Sequence, residues 1–418
     1  MPASSLDSRQ VLTFPDLASP VLLERAEPLL PLISTVLSGW QFATTDGGAA
    51  VAPCMTITGR EDGDYICKTR DAPDTPRRWD AVNAVCELVV ELAWEQIRSH
   101  PDWLCLHCAA VEIGGRLVLF PNRRKAGKST LTAVLAARGH RVLTDDFLPV
   151  QVGADGVISG RANGILPRIR LPLPAGFGAA FTNWAAANPG PRNAQYKYLR
   201  VDNLAPRGTT LPIGAIVVLD RNGDGETALA PIPRPEVLDA LISQNFARTL
   251  HSGKILLASQ GVAETAELFR ADYASAEDLA DLLEARFRSW DRPIKPLEHP
   301  QNLRQDGADL SLLDQAKPAL RDGTAYRQAS GVTEVHVDDV TYLADRHGIG
   351  VHRLNPVSAA IWQQLDHPAL LADIAGLLRM AFPDVPRAQI EGDARAALDQ
   401  FVRNRLIEPA GAAGLAGK

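Results

Sequence analysis

At 418 residues the chain is long enough for two or three domains, and with 46% hydrophobic residues each can bury a sizeable core. The net charge of −6, spread along the chain, excludes a nucleic-acid backbone as the main partner, which would demand a strongly basic surface. No apolar run reaches the roughly eighteen residues of a membrane span, and the N-terminus lacks the basic-then-apolar order of a signal peptide, so a soluble cytoplasmic protein is expected.

Residues 1–75 alternate short apolar runs with Gly and Asp turns, as in Ala49 to Ile57 and Tyr65-Ile66-Cys67, and predict a small β-rich segment. Over 79–99, Val82, Val85, Leu88, Val89, Leu92 and Ile97 recur near helical spacing. His107 to Val111 and Arg116 to Phe120 predict a hairpin turning at Gly114-Gly115. The five cysteines, Cys54, Cys67, Cys86, Cys105 and Cys108, do not make a disulfide framework in so long a chain. Cys105-Leu106-His107-Cys108 has metal-like spacing, but no second pair completes a tetrahedral site, and buried reduced thiols are expected.

Residues 117–147 carry the chemistry. The apolar run Leu117 to Phe120 leads into Pro121-Asn122-Arg123-Arg124-Lys125-Ala126-Gly127-Lys128-Ser129-Thr130, then a helix-like stretch that Gly139 caps, then Val142-Leu143-Thr144-Asp145-Asp146. The order is strand, phosphate loop, helix, strand, acidic pair. A phosphate loop needs backbone N–H groups turned inward, a lysine for the β- and γ-phosphates and a hydroxyl for Mg²⁺. Residues 122–130 are the candidate loop, and Gly127, Lys128 and Ser129 supply the last turn of that cradle. Asn122 stands where the pattern has glycine; asparagine tolerates a left-handed backbone better than most residues. A basic surface turn before an ordinary helix is the simpler reading of the same residues, and the full order argues against it.

Gly164 to Pro174, Ala215 to Leu219 and Lys254 to Ala258 predict further strands; Glu236 to Asn245 and Ala276 to Phe287 predict helices. The mixture is α/β. Prolines punctuate a polar stretch at 291–324, expected as a linker with a short helix near Leu310 to Ala316. A second domain follows over 325–410. Gly331 to Val337, Val340 to Ala344 and Gly350 to Leu354 are strand-like. Three amphipathic stretches follow, lined by Val357, Ile361 and Leu365, by Leu370, Ile374 and Leu377, and by Ile390, Ala394, Leu398 and Phe401, with Arg405 at the edge of the last. The plan is that of a winged helix-turn-helix. Trp362 is expected in its core.

The first part resembles HPr kinase/phosphorylase, in the type found in peptide-modification gene clusters. His107, Gly127-Lys128-Ser129 and Asp145-Asp146 stand in that family's order. The resemblance implies a P-loop core of the PEP-carboxykinase-like kind over 76–290. It implies ATP and Mg²⁺, and a catalytic set of Lys128, His107, Asp145 and Asp146. The two aspartates would share metal binding and proton abstraction; we assign Asp146 with Ser129 to the metal and Asp145 to the proton. His107 would orient the acidic group, and Arg168 would touch acceptor or phosphates. Relatives of this kind form oligomers.

The second part resembles the PqqD-like peptide-recognition domain. The carrying residues are Tyr342-Leu343, Arg353-Leu354-Asn355-Pro356-Val357-Ser358-Ala359-Ala360-Ile361-Trp362 and Leu406-Ile407. That resemblance implies binding of a precursor peptide's leader as an added strand on the hairpin edge and against the third helix, by Tyr342, Val351, Arg353, Arg395 and Arg403. Together the two parts imply a kinase for a Ser or Thr hydroxyl of a ribosomal precursor peptide, acting beside other enzymes of its biosynthetic cluster. Two alternatives stand beside it: a non-catalytic nucleotide-binding peptide chaperone, and a kinase or phosphorylase of a small carrier protein.

Overall fold

The structure, a computed structural model, describes residues 8–121, 126–174, 176–221, 225–246, 250–298 and 307–410. The β-rich segment consists of β1 (Arg9–Thr13), β2 (Val21–Glu24), α1 (Leu30–Val36), β3 (Ala43–Asp46), β4 (Met55–Gly59), β5 (Tyr65–Thr69) and β6 (Arg77–Trp79). Its strands form one sheet in the order β3-β1-β2-β4-β5-β6. The periodic stretch folds as α2 (Ala81–Ser99), started by Asp80, whose side chain accepts from Asn83 N at 2.9 Å. Its stripe of Val85, Leu88 and Leu92 is fully buried.

Next come β7 (Leu104–Leu106), β8 (Ala109–Ile113), β9 (Arg116–Phe120), α3 (Lys128–Ala137), β10 (Val142–Thr144), β11 (Leu148–Val152) and β12 (Ile158–Arg161). The hairpin β8–β9 turns at Gly114 and Gly115, whose φ of 60° and 82° side chains rarely tolerate. Gly139 ends α3 as expected: with φ at 93°, it lets His140 N reach Leu135 O at 3.1 Å. Then follow β13 (Arg168–Arg170), α4 (Ala179–Ala187), β14 (Tyr196–Tyr198), β15 (Thr210–Arg221), β16 (Ala228–Pro231), α5 (Arg234–Ser243), α6 (Ser252–Thr265), β17 (Glu267–Tyr273) and α7 (Ala276–Phe287).

A nine-stranded sheet runs β10-β8-β9-β15-β12-β11-β7, with β17 on β15 and β16 on β17. β15 is parallel to both β9 and β17. Val118, Phe120, Leu131, Leu135, Val217, Leu283 and Phe287 share one core, each worth about 1.5–3 kcal/mol when fully buried. β8 lies between β9 and β10 and is antiparallel to both, so β9 and β10 run parallel and end on the same side of the sheet.

Two strand expectations are corrected. Lys254 to Ala258 lies inside α6, a fourteen-residue helix; a short apolar run fits either period, and the length of the element decides. Within Gly164 to Pro174 only Arg168–Arg170 pairs as a strand, on β14, since Gly164 turns at φ 69° and prolines flank the pairing. β17 has no counterpart among the expected strands.

The chain divides into two compact units, Met1–Ala247 with Val262–Pro300, and Arg248–Gly261 with Gln301–Lys418. Residues 250–261 therefore fall in the second unit rather than before the expected linker: there Ser252 N donates to Gly348 O at 2.9 Å. The expected short helix in 291–324 is a single 3-10 turn, Leu310–Leu313.

The second unit continues with β18 (Tyr326–Gln328), β19 (Thr333–Val337), β20 (Val340–Ala344), β21 (Val351–Arg353), α8 (Pro356–Gln364), α9 (Leu371–Ala381), α10 (Arg387–Arg403) and β22 (Ile407–Pro409). β19-β20-β21 form an antiparallel sheet, and β18 pairs β22. Asn355 caps α8 through Ser358 N at 2.7 Å. Trp362 is in the core as expected, 2% exposed, with its ring edge-on to Phe401 and its Nε1 donating to Glu334 at 2.9 Å. Arg405 lies beyond α10 rather than on it, at φ 56°, where Leu406 N closes on Phe401 O at 2.9 Å. No helix among the described residues is long and apolar enough to cross a membrane.

Candidate functional site

Chain geometry brings four separate sequence segments to one point of the first unit. β10 ends at Thr144, and Asp145 and Asp146 follow it. Gly127 turns left-handed at φ 91° and starts α3 at Lys128. A Cβ there would lie 2.1 Å from Tyr273 Oη, and that hydroxyl donates to Ala126 O at 2.6 Å. Glycine is thus required at 127 on two counts. Asn122, Arg123, Arg124 and Lys125, expected as the first half of the phosphate loop, lie outside the described residues; Ala126 to Thr130 lie within them.

His107 sits between β7 and β8, its N–H donating to Gln244 O at 2.7 Å. Its Nδ1 lies 3.2 Å from Asp146 Oδ1. Asp146 Oδ2 accepts from the Arg168 guanidinium at 3.2 Å. Arg168 N donates to Asp145 Oδ2 at 3.0 Å, and the Ser129 hydroxyl hydrogen-bonds the Asp145 side chain. One arginine therefore holds both carboxylates, one through its main chain and one through its side chain. Lys128 is 7% exposed, buried where a fully solvent-facing group would not be, and its charge bears on Asp146.

The two carboxyls are driven apart. Burial and the neighbouring Asp146 push Asp145 up to about 6, against the opposing pull of Arg168. Burial also works against ionised Asp146, but the His107 hydrogen bond and the charges of Arg168 and Lys128 outweigh it and hold that carboxyl below its usual range. Burial likewise opposes the Arg168 charge, yet Asp146 keeps the guanidinium well above its usual range. Cys105 and Cys108 are buried, and burial raises both thiols, Cys108 to about 12, so they stand neutral beside the site. All five cysteines are free.

Three residues of this cluster have no sequence signal of their own. Asn163 Nδ2 donates to Thr144 Oγ1 at 2.8 Å and to Phe147 O at 3.1 Å, and Thr144 Oγ1 in turn accepts from Asp146 N at 3.0 Å. Tyr196 lies under the Arg168 guanidinium, 5.2 Å to its centroid. A polar residue at the end of a strand looks the same in sequence whether or not it braces a neighbour.

In the second unit the residues expected to contact peptide separate. Tyr342 is corrected: it is 1% exposed on the central strand β20, where Val335 and Arg353 occupy both of its edges, so neither its side chain nor its backbone is open to a ligand. Val351 and Arg353 lie on β21, a flank of that sheet. Arg395 and Arg403 are exposed on α10, paired with Asp322 at 2.6 Å and Asp399 at 2.7 Å. Asp345, buried and unmarked by the sequence reading, shapes the turn before β21 by accepting from the N–H groups of His347, Ile349 and Gly350 at 2.7–3.0 Å.

Residues 341–407 match the family described as coenzyme PQQ synthesis protein D (PqqD). Among solved structures the chain is similar to the Hpr(Ser) kinase/phosphatase from Coxiella burnetii, at 12% identity and a TM-score of 0.22, over 43% of this chain and 91% of that one. No curated protein matches.

Proposed function

We propose that the chain is an ATP- and Mg²⁺-dependent kinase that phosphorylates a Ser or Thr hydroxyl of a ribosomally made precursor peptide, recruited by its leader to the C-terminal unit. One observation carries the reading: Lys128, Ser129, His107, Arg168 and two carboxylates of opposed acidity converge at the start of α3. The PqqD match over 341–407 supports a peptide as the partner.

The residues fit the nucleotide and its metal. Mg²⁺ usually takes one or two protein oxygens and completes its shell with phosphate and water; Ser129 and Asp146 would be such a pair once the Ser129 hydroxyl leaves Asp145, on which it rests here. Asp146 has one oxygen on His107 and the other on the Arg168 guanidinium, and a carboxylate offers about four lone-pair sites, so lone pairs would remain for a metal. When bound, the metal would neutralise charge on the transferring phosphoryl group.

The residues' own work follows from their acidity. Asp145, with its carboxyl near 6, is ionised at neutral pH and still basic enough to take a proton. As the acceptor hydroxyl oxygen bonds to the γ-phosphorus, its proton passes to Asp145, and the bond from that phosphorus to ADP breaks. Lys128 offsets the charge carried by the phosphate oxygens, and α3 adds its N-terminal N–H groups. His107 and Arg168 hold Asp146 in place.

The test is mass spectrometry of the precursor peptide after incubation with the chain and Mg-ATP. A gain of one phosphoryl mass supports the kinase. Binding of the peptide with no gain in mass and no ADP release overturns it in favour of the chaperone.

A further inference from the structure

A groove of about 540 Å³ opens in the C-terminal unit between α9, α10 and the segment 320–326. None of its lining residues belongs to β19, β20 or β21, so it is distinct from the sheet flank at Val351 and Arg353. Leu320, Leu371 and Leu398 give it apolar walls. Its charged lining is Arg321, Arg379, Arg387 and Arg395 against Asp322 and Glu391, four cations against two anions.

The charge is spread along the groove. Arg387, Glu391 and Arg395 recur every four residues on α10, a row roughly 12 Å long at 1.5 Å per residue. An extended peptide covers that with about four residues, whereas a small anion meets only part of it. Arg387 pairs with Glu391 and Arg395 with Asp322, each at 2.6 Å, but all four side chains are 46–79% exposed and exchange partners at little cost. Arg321 and Arg379 have no ion pair among the described residues.

Gly376 on α9 and Gly392 on α10 line the same groove. A Cβ on either would meet no heavy atom within 4 Å. Glycine inside a helix weakens it, and here neither packing nor a left-handed turn asks for it. What the two glycines provide is a floor on which another chain can approach the helix backbones.

We propose that this groove docks an acidic segment of the substrate peptide carrying apolar side chains, in addition to any strand added at β21; the inference rests on the peptide-recruiting reading above. The test titrates the full chain against a fluorescent peptide of about twelve residues alternating Glu and Leu, and against the same peptide with Gln for Glu, by anisotropy. The Glu peptide should bind at least about tenfold more tightly. Arg379→Glu combined with Arg395→Glu should weaken the Glu peptide by about tenfold or more and leave the Gln peptide unchanged. Gly392→Leu should block both peptides, while Gly392→Ala should raise Tm and weaken both peptides to a smaller degree. Equal binding of the two peptides, or an unchanged Kd in the double variant, overturns the proposal. Loss of binding in Val351→Pro but not in the groove variants also overturns it, and leaves leader recruitment standing at the strand flank. Phosphorylation of the precursor by Mg-ATP checks the underlying reading separately.

Discussion

His107 Nδ1 lies 3.2 Å from one oxygen of Asp146, and the other oxygen takes the Arg168 guanidinium at 3.2 Å. Asp146 is thus held between an imidazole and a guanidinium, and Arg168 is the one that also reaches Asp145. Because the Arg168 charge lowers both carboxyls, Arg168→Gln should make both harder to ionise while its main-chain bond to Asp145 stays. The acid limb of the rate–pH profile should move up by about one unit, the scale of one lost opposite charge at close range. An unmoved limb would mean that the guanidinium does not act on the pair.

Asp145 sets the sign of the pH dependence. Its carboxyl is raised to about 6, so below that pH a base at this position would be protonated and unavailable. Transfer should rise as pH passes upward through about 6 and level off near neutrality. Asp145→Asn should abolish that limb and lower transfer at pH 7 by about a hundredfold or more, at the lower end of what general-base catalysis contributes, with nucleotide binding retained. A limb that survives in Asp145→Asn assigns the proton to another group.

Lys128 stands buried at the start of α3. Lys128→Ala should lower transfer by about a hundredfold or more, the usual loss when a preorganised charge at a transferring group is removed. Wild-type turnover in that variant would remove the kinase reading. Circular dichroism should show the same helix content in both proteins.

Glu91 tests the fold away from the site. It is buried on α2 with Oε2 lacking a hydrogen-bond partner among the described residues, and burial, with the nearby Asp71, raises its carboxyl from 4.5 to about 7. The folded state therefore holds the proton more tightly than the unfolded one. Its contribution to stability is fully present below about 4.5 and is lost as pH rises through about 7. Glu91→Gln should melt higher than the parent at pH 8 by about 2–4 °C, the shift for about 1 kcal/mol in a domain this large, and no higher at pH 4. Equal melting at pH 8 would show that Glu91 ionises without cost.

Local chemistry alone made much of the molecule legible. Gly114-Gly115 between two apolar alternations could only be a tight hairpin, and Gly139 could only end α3, because both depend on backbone angles within a few residues. The order Gly127-Lys128-Ser129 to Asp145-Asp146 pointed to the site for the same reason: one strand–helix–strand unit carries all five residues. What lay beyond local rules was decided by packing. Lys254 to Ala258 has an apolar run that suits strand or helix, and its neighbours made it a helix. Tyr342 looked like a hairpin-edge residue, and strand order put it in the middle of the sheet. Arg168, 22 residues after Asp146, and Asn163 acquired their roles only when β10, β12 and β13 were brought together. Sequence spacing encodes the period of an element, whereas the partner of a polar side chain depends on which elements the hydrophobic core holds side by side.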